Sequence, residues 1–424
     1  MSEQTAPEWT WVTEDERGLW FVDPSRLADM TEWHRQVAAI RREEPVLPVA
    51  VEGFEKFWVL TRHEDIFAVE RDSEHWLNTT RVVLGPDFEY ERMVSSGMEP
   101  RSLVHLDGKI HNDVRHVVND WFKPAAVKRR QPRIDEIADM FVERMRAKGG
   151  SCDFATEIAV PYTLRVIMDI YGVPEDDESL MLELTQGLFG AADPEFGTIE
   201  DPGAQVLEAI MKFVNYFNDM TTDRRAHPGD DLASVIANGQ IDGCPMGDVE
   251  RLWLYIIVAT AGHDTTSYGL AGGMEALIAH PAELGKLRAD PGLIVNATDE
   301  IIRWTSPVRH FMRYPTEDTE VRGVEIAAGD RVYLSYPSAN RDESVFRDPM
   351  TFDVARPDAD KLLSFGVGAH FCLGAQFARR EIRTMIGRLA RELDHVELAG
   401  DPKWSEGGLV SGVKHLPITY SWRS

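Results

Sequence analysis

The sequence predicts a mainly α-helical fold with small β-sheets. It reads as one domain over residues 1–424, built on a long central helix and preceded by a poorly ordered tail at 1–20. Three observations carry this. Helical periodicity runs from residue 111 to 280, broken only at Gly149 and Gly150, at Pro194 and at Pro228 and Gly229. Period-two alternation is confined to a few short stretches. No Pro-, Gly- or Ser-rich linker separates halves, and no repeat marks a solenoid.

In chain order, residues 46–51 and 57–61 read as an early hairpin, with Glu52, Gly53 and Phe54 near its turn. Residues 73–104, punctuated by Gly85, Pro86, Gly97 and Pro100, fit neither helix nor strand. A loop that long in a compact protein is often functional. Asp248 caps a helix running to residue 280, where Pro281 stops it. At about 1.5 Å per residue it would be roughly 50 Å long. Asp290 and Pro291 open a shorter helix through residue 304. Residues 320–326 and 331–335, joined across Gly329 and Asp330, read as strands. A last helix covers 374–393.

Charge excludes one class of function. Lys and Arg number 45 against 71 Asp and Glu, a net charge of −26. A nucleic-acid binder needs a basic footprint, and none is expected here. Hydrophobic residues, at 43%, suffice for a large core. The three cysteines, Cys152, Cys244 and Cys372, are odd in number and far apart, which points to a reducing cytoplasm rather than a disulfide framework. The first twenty residues carry Glu3, Glu8, Glu14, Asp15 and Glu16 and no apolar run, so neither a signal peptide nor a membrane partner is expected.

The chemistry is concentrated in Phe365-Gly-Val-Gly-Ala-His-Phe-Cys-Leu-Gly374. Glycines at 366, 368 and 374 let the backbone approach something large and flat. Cys372 stands just before a helix, where the dipole and unpaired N–H groups favour a thiolate. Without a second nearby cysteine it cannot build a zinc site. It can be the single protein ligand of a haem, whose iron a thiolate primes for O–O cleavage. The alternative is a buried structural cysteine in a Gly-rich turn. The flanking Phe365, Gly366, Gly368, His370 and Gly374 favour the ligand.

This segment resembles the haem-ligand loop of the cytochrome P450 superfamily, Phe-x-x-Gly-x-His/Arg-x-Cys-x-Gly, in every place. Three further segments in the family's order extend the resemblance over roughly residues 105–417. It implies the cytochrome P450 fold, haem b, and Cys372 as the iron ligand, with Phe365 and Gly374 beside the cofactor. The second segment is Ala261-Gly-His-Asp-Thr-Thr266 in the long helix. Trp253, Ile257, Ala261 and Thr265 share a stripe by helical spacing. Asp264 and Thr265 beside it need partners, and could simply bond the preceding turn. The resemblance implies instead a catalytic acid–alcohol pair relaying protons to bound dioxygen, with Ala261 and Gly262 forming the oxygen groove. The third is Glu300-x-x-Arg303, by itself an ordinary helical pair. In the family it is locked to a later arginine, here Arg356, in a structural role. The fourth supplies propionate contacts: His111 and Arg115, four apart, with Arg313 and His370.

Segments 261–267, 311–313, 318–323 and 334–343 look like the terpineol-hydroxylating branch of the family. The pocket segments depart from it, so the substrate stays open. The resemblance implies a monooxygenase that inserts one atom of O2 into a C–H bond of a small apolar substrate, a monoterpene or an alkyl aromatic. No Gly-x-Gly-x-x-Gly follows a strand, so electrons come from a partner, an acidic ferredoxin fed by an NAD(P)H-dependent reductase. Lys109, Arg115, Lys123, Lys128, Arg129, Arg130, Arg379, Arg380 and Arg383 are candidates for its docking face. Met98, Leu188, Ile257, Val308, Phe311, Leu409 and Val410 are the candidate pocket residues, with Gly187 and Phe189 near the lid. The alternatives are a same-fold enzyme acting on an aromatic carboxylate or a steroid, and a non-catalytic haem carrier or sensor. A carboxylate would need a buried cation from Arg81, Arg309 or His310. Arginines in loops are expected to face water.

Overall fold

A computed structural model describes residues 16–79, 81–95, 97, 99–189, 193, 195 and 202–423. The helical part and the sheets are both present as expected, but several boundaries differ for physical reasons. One core cluster joins the helices from Gly108–Phe122 to Ala375–Glu392, and two smaller ones lie on either side of a five-stranded sheet. Of the tail expected at 1–20, residues 1–15 lie outside the described residues. Gly18–Phe21 is a short 3-10 helix with Phe21 buried against Trp33 and Tyr333.

The early hairpin forms as Val46–Val49 antiparallel to Phe57–Leu60, with Val46 opposite Leu60 and Val49 opposite Phe57. The sheet then continues through Val332–Ser335 and His310–Pro315 to Trp76–Leu77. Val332–Ser335 does not pair with 320–326. Its neighbours are Phe57–Leu60, parallel, and His310–Pro315, antiparallel. The segment 320–326 folds on itself instead, Thr319–Val321 against Val324–Ile326. Arg322 and Gly323 both have positive φ, 54° and 80°, the conformation a two-residue hairpin turn needs.

The stretch 73–104 is not structureless. It holds the strand Trp76–Leu77, the helix Asp87–Ser95 and a 3-10 turn at Leu103–His105. No residue of Asp87–Ser95 is buried, so it has no apolar stripe to reveal it. The helix expected to start at Asp290 begins with a 3-10 turn, Pro291–Leu293, and becomes α-helical over Ile294–Thr305. Its end is marked by Ser306 in the left-handed region.

The long central helix is two helices, Asp248–Ala261 and Asp264–Ala279. The interruption at Gly262 and His263 has a cause in the sequence. Thr265 Oγ1 donates to the Ala261 carbonyl at 3.0 Å and Thr266 Oγ1 to that of Gly262 at 3.1 Å. Hydroxyls of this kind compete with the backbone ladder and bend helices. Thr163 Oγ1, from the helix Val160–Tyr171, adds a bond to the His263 carbonyl at 3.2 Å. Among the described residues, no helix is long and apolar enough to cross a membrane.

Candidate active site

The cysteine loop is closed by its own backbone: Cys372 N–H donates to the Phe365 carbonyl at 2.8 Å. Gly366 and Gly368 have φ of 62° and 74°, the region that favours glycine. Space demands it as well. A Cβ on Gly368 would collide with the Glu70 carbonyl oxygen, and one on Gly366 would lie 3.1 Å from the Glu70 carboxylate. The loop is thus moulded on the helix His63–Arg71. Around the thiol, burial pushes the Cys372 pKa up, while the Gly374 and Ala375 amides, Arg115 and Arg379 pull it down. Burial outweighs the helix terminus here; a bound metal cation would deprotonate the thiol.

His111, Arg115, Arg313 and His370 gather around this loop. The His111 ring centroid is 4.2 Å from that of His370. Arg115 Nη2 donates to the Phe371 carbonyl at 2.7 Å. His370 Nε2 is 3.4 Å from Asp107 Oδ1, and burial, with Arg313 among the smaller causes, lowers its pKa. Arg313 is buried with Nη2 on Glu70 Oε1 at 3.1 Å and Nη1 on the Met312 carbonyl at 2.9 Å. His111 is buried and its Nε2 has no hydrogen-bond partner. Burial, then His370 and Arg115, push its pKa down to about 4. An orphaned buried ring nitrogen is costly, and a carboxylate-bearing group beside it would relieve that cost. On the other side, a Cβ on Gly374 meets no protein atom within 4 Å, and Ala261 is exposed beside the buried Ala259 and Thr260. These residues fit a haem.

Asp264 and Thr265 stand at the break between the two central helices. Thr265 keeps its hydroxyl on the preceding turn, as one reading of the sequence expected. Asp264 Oδ1 lies 3.0 Å from Nε2 of the wholly buried His263, which is 3.3 Å from Thr185 Oγ1. Asp264 also lines a cavity of about 160 Å³ with Ser267, Tyr268, Gln186, Val410 and Lys414. Nothing in the sequence patterns singled out Gln186, Tyr268 or Lys414. Of the candidate pocket residues that the structure describes, only Val410 borders this cavity. Leu188 and Ile257 pack half-buried on the helical core and Val308 and Phe311 on the sheet core. Val308 bridges to Val410, and Arg309 N–H donates to the Leu409 carbonyl at 2.8 Å. Met98 and the Phe189 side chain lie outside the described residues.

The three candidate cations are all placed. Arg309 does not face water. It is wholly buried, with Nη2 donating to Ser411 Oγ at 2.7 Å and to the Leu27 carbonyl. Burial pushes its pKa down to about 10. His310 accepts from Leu84 N–H at 3.0 Å, stacks on Tyr333, and is pushed down to about 3 by burial and then by Arg309. Arg81 is held by Glu55 at 2.6 Å and Asp87 at 2.7 Å, over the Tyr90 ring.

Glu300, Arg303 and Arg356 form a buried cluster. Glu300 Oε2 lies 2.6 Å from Arg303 Nε and 3.0 Å from Arg356 Nε, and Glu300 Oε1 accepts the Asp353 amide at 2.9 Å. Of the candidate docking cations, several are already paired: Lys109 with Asp113 and Asp242, Lys123 with Asp120, Arg379 with Asp299. Arg130 covers Trp121. Lys128 and Arg129 are exposed.

A helical body with a small mixed sheet, presenting one cysteine at a helix mouth among imidazole and guanidinium groups, is the architecture of a haem-thiolate protein. The chain belongs to the cytochrome P450 family, whose description, Cytochrome P450, matches residues 86–417. Cytochrome P450-terp of a Pseudomonas species is 39% identical over 394 residues, covering 90% of this chain and 92% of that one. A methyl-branched lipid omega-hydroxylase of Mycobacterium tuberculosis is 34% identical, covering 91% and 90%. The crystal structure of CYP108D1 from Novosphingobium aromaticivorans superposes with a TM-score of 0.90 at 37% identity, covering 97% of this chain and all of that one. The chain is therefore a cytochrome P450 monooxygenase. Such proteins bind haem b through a cysteine thiolate and use O2 and a redox partner.

Proposed function

We propose that this enzyme, a single cytoplasmic domain, hydroxylates a small, neutral, mostly apolar molecule such as a monoterpene or an alkyl aromatic, using electrons from an acidic ferredoxin. The observation that carries the substrate class is the placement of the three candidate cations. Arg81 is neutralised by two carboxylates, His310 is uncharged, and Arg309 is anchored through Nη2 on Leu27 and Ser411. None of the three borders the cavity that Asp264 lines. An apolar ligand is then held by burial, at about 25 cal/mol per Å².

When bound, haem supplies the site for dioxygen activation. The chain's own residues divide the remaining work. Cys372 would supply the thiolate ligand, with Phe365, Gly374, Ala261 and Gly262 beside the cofactor. His111, Arg115, Arg313 and His370 would hold its propionates through charge-assisted bonds. Thr265, whose proton rests on the Ala261 carbonyl, leaves its oxygen free to accept, and Asp264 presents its carboxyl group at the cavity wall. Glu300, Arg303 and Arg356 hold the framework and do not react.

One observation favours a second reading, an aromatic carboxylate: Arg309 Nε and Nη1 are buried without partners. Titrating the ferric enzyme with an alkylbenzene and the matching alkylbenzoate separates the two. A high-spin shift with the neutral member supports the proposal. A shift with the acid alone, lost in Arg309→Ala, replaces it. The ligand assignment is tested by Cys372→His, which should abolish the red-shifted band of the reduced carbon monoxide complex.

A further inference from the structure

Glu70 was not singled out by any motif, yet it is the buried carboxylate on which three separate elements meet. It lies near the end of the helix His63–Arg71 and is 4% exposed. Glu70 Oε1 accepts from Arg313 Nη2 at 3.1 Å and from the Tyr336 hydroxyl at 2.6 Å. Glu70 Oε2 accepts the backbone N–H of Val367, inside the cysteine loop, at 3.0 Å. Both positive-φ glycines of that loop are packed on this same residue, Gly366 on its carboxylate and Gly368 on its carbonyl. Every one of these groups donates, which is what an ionised, acceptor-only carboxylate requires. The net direction is upward: burial raises the Glu70 pKa above its ordinary value, and Arg313, the Tyr336 hydroxyl and the Val367 amide hold the rise back.

We infer that Glu70 is a positioning residue of the haem site: it anchors the Cys372 loop through Val367 and balances the charge that Arg313 presents to the cofactor. The inference rests on the reading of Cys372 and Arg313 given above. Its electrostatic consequence has a definite sign. A cation near the iron favours the ferrous state, which carries one more electron, and a carboxylate paired with that cation offsets the effect. Because the pair is buried, solvent and salt screen it little. Removing the Glu70 charge leaves Arg313 unbalanced and should raise the reduction potential. Removing the Arg313 charge leaves Glu70 unbalanced and should lower it.

The test measures the potential of the holoenzyme by spectroelectrochemistry, and haem loss by transfer to apomyoglobin. Glu70→Gln should shift the potential positively and Arg313→Gln negatively, with Glu70→Gln/Arg313→Gln between them. Tyr336→Phe removes a bond to the same carboxylate but no charge, and should stay at the wild-type potential. Glu70→Gln should also release haem several-fold faster, because an amide no longer holds the Val367 N–H with a full charge. A purely structural Glu70 would speed haem loss without moving the potential, and that result overturns the charge role. Equal shifts in Tyr336→Phe and Glu70→Gln overturn it too. If Glu70→Gln keeps no haem, Glu70→Gln/Arg313→Gln carries the measurement: a potential above that of Arg313→Gln supports the inference, and one equal to it overturns it. Should the wild-type carbon monoxide complex lack the thiolate band, the reading of Cys372 fails, and that failure is visible before any Glu70 variant is made.

Discussion

Arg303 Nε lies 2.6 Å from Glu300 Oε2, and neither side chain has any solvent exposure. The pair sits on one helix at i,i+3, where an exposed pair would contribute only a few tenths of a kcal/mol. Burial changes its weight. Arg356 closes on the same carboxylate, and the two guanidiniums spend their other N–H groups on the carbonyls of Asn340, Pro349, Asp348 and Thr351. Removing one partner strands a buried charge. Glu300→Gln should destabilise the protein by about 3–5 kcal/mol, read as a lower urea midpoint. A variant within about 0.5 kcal/mol of wild type would show that the cluster does not hold the framework.

Asp264 and Thr265 are predicted to fail differently. Thr265→Ala should bind substrate with the same spectral shift yet divert reducing equivalents to hydrogen peroxide. Asp264→Asn should lower turnover sharply, because the acid at the cavity wall is gone. Product formed per NADH, measured beside peroxide, decides the first. Unchanged coupling in Thr265→Ala would leave its hydroxyl only the turn-bonding role seen at the Ala261 carbonyl.

His310 gives a pH dependence with a fixed sign. Its folded pKa is pushed down to about 3 by burial and then by Arg309, below the unfolded value of roughly 6.5. Below that value the unfolded chain binds a proton that the folded chain refuses. The contribution is therefore fully present above pH ~6.5 and is lost as pH falls toward about 3, by at most ~1.4 kcal/mol per pH unit. His310→Gln, which can still accept from Leu84 N–H, should flatten the fall in urea midpoint between pH 6.5 and 5. Parallel curves for the two proteins would assign the acid sensitivity to other groups.

What the sequence disclosed and what it hid have physical causes. The Cys372 loop was legible because its glycines answer local demands, positive φ and close approach, that only glycine meets. Glu300 and Arg303 were legible only through the family resemblance, because an i,i+3 pair by itself reads as an ordinary helical pair. The strand His310–Pro315 was hidden because His310 and Arg313 break its apolar alternation; both are buried through contacts made elsewhere in the chain. The helix Asp87–Ser95 was hidden because it buries nothing. Glu70 was hidden most deeply. On an amphipathic helix a glutamate reads as a solvated residue, and its partners lie 243, 266 and 297 positions away. No local pattern can announce such a role.

Docking of the proposed ferredoxin depends on which cations remain free. Arg379 and Arg383 lie on the helix Ala375–Glu392 that follows the cysteine, but Arg379 Nε is 2.6 Å from Asp299 and its guanidinium covers Phe365. Reversing Arg379 would disturb the loop as well as any docking face. Lys128 and Arg129, early in the helix Pro124–Ala147, are exposed, and that helix packs on Ala375–Glu392 behind the thiol. They are the better probes. Association steered by charge slows as salt rises, and reversing two cations should have the same sign of effect. Lys128→Glu/Arg129→Glu should slow reduction by an acidic ferredoxin several-fold at low salt, with substrate binding and the carbon monoxide spectrum unchanged. The difference from wild type should shrink as ionic strength is raised. Equal rates at low salt would place the electron donor on another face of the molecule.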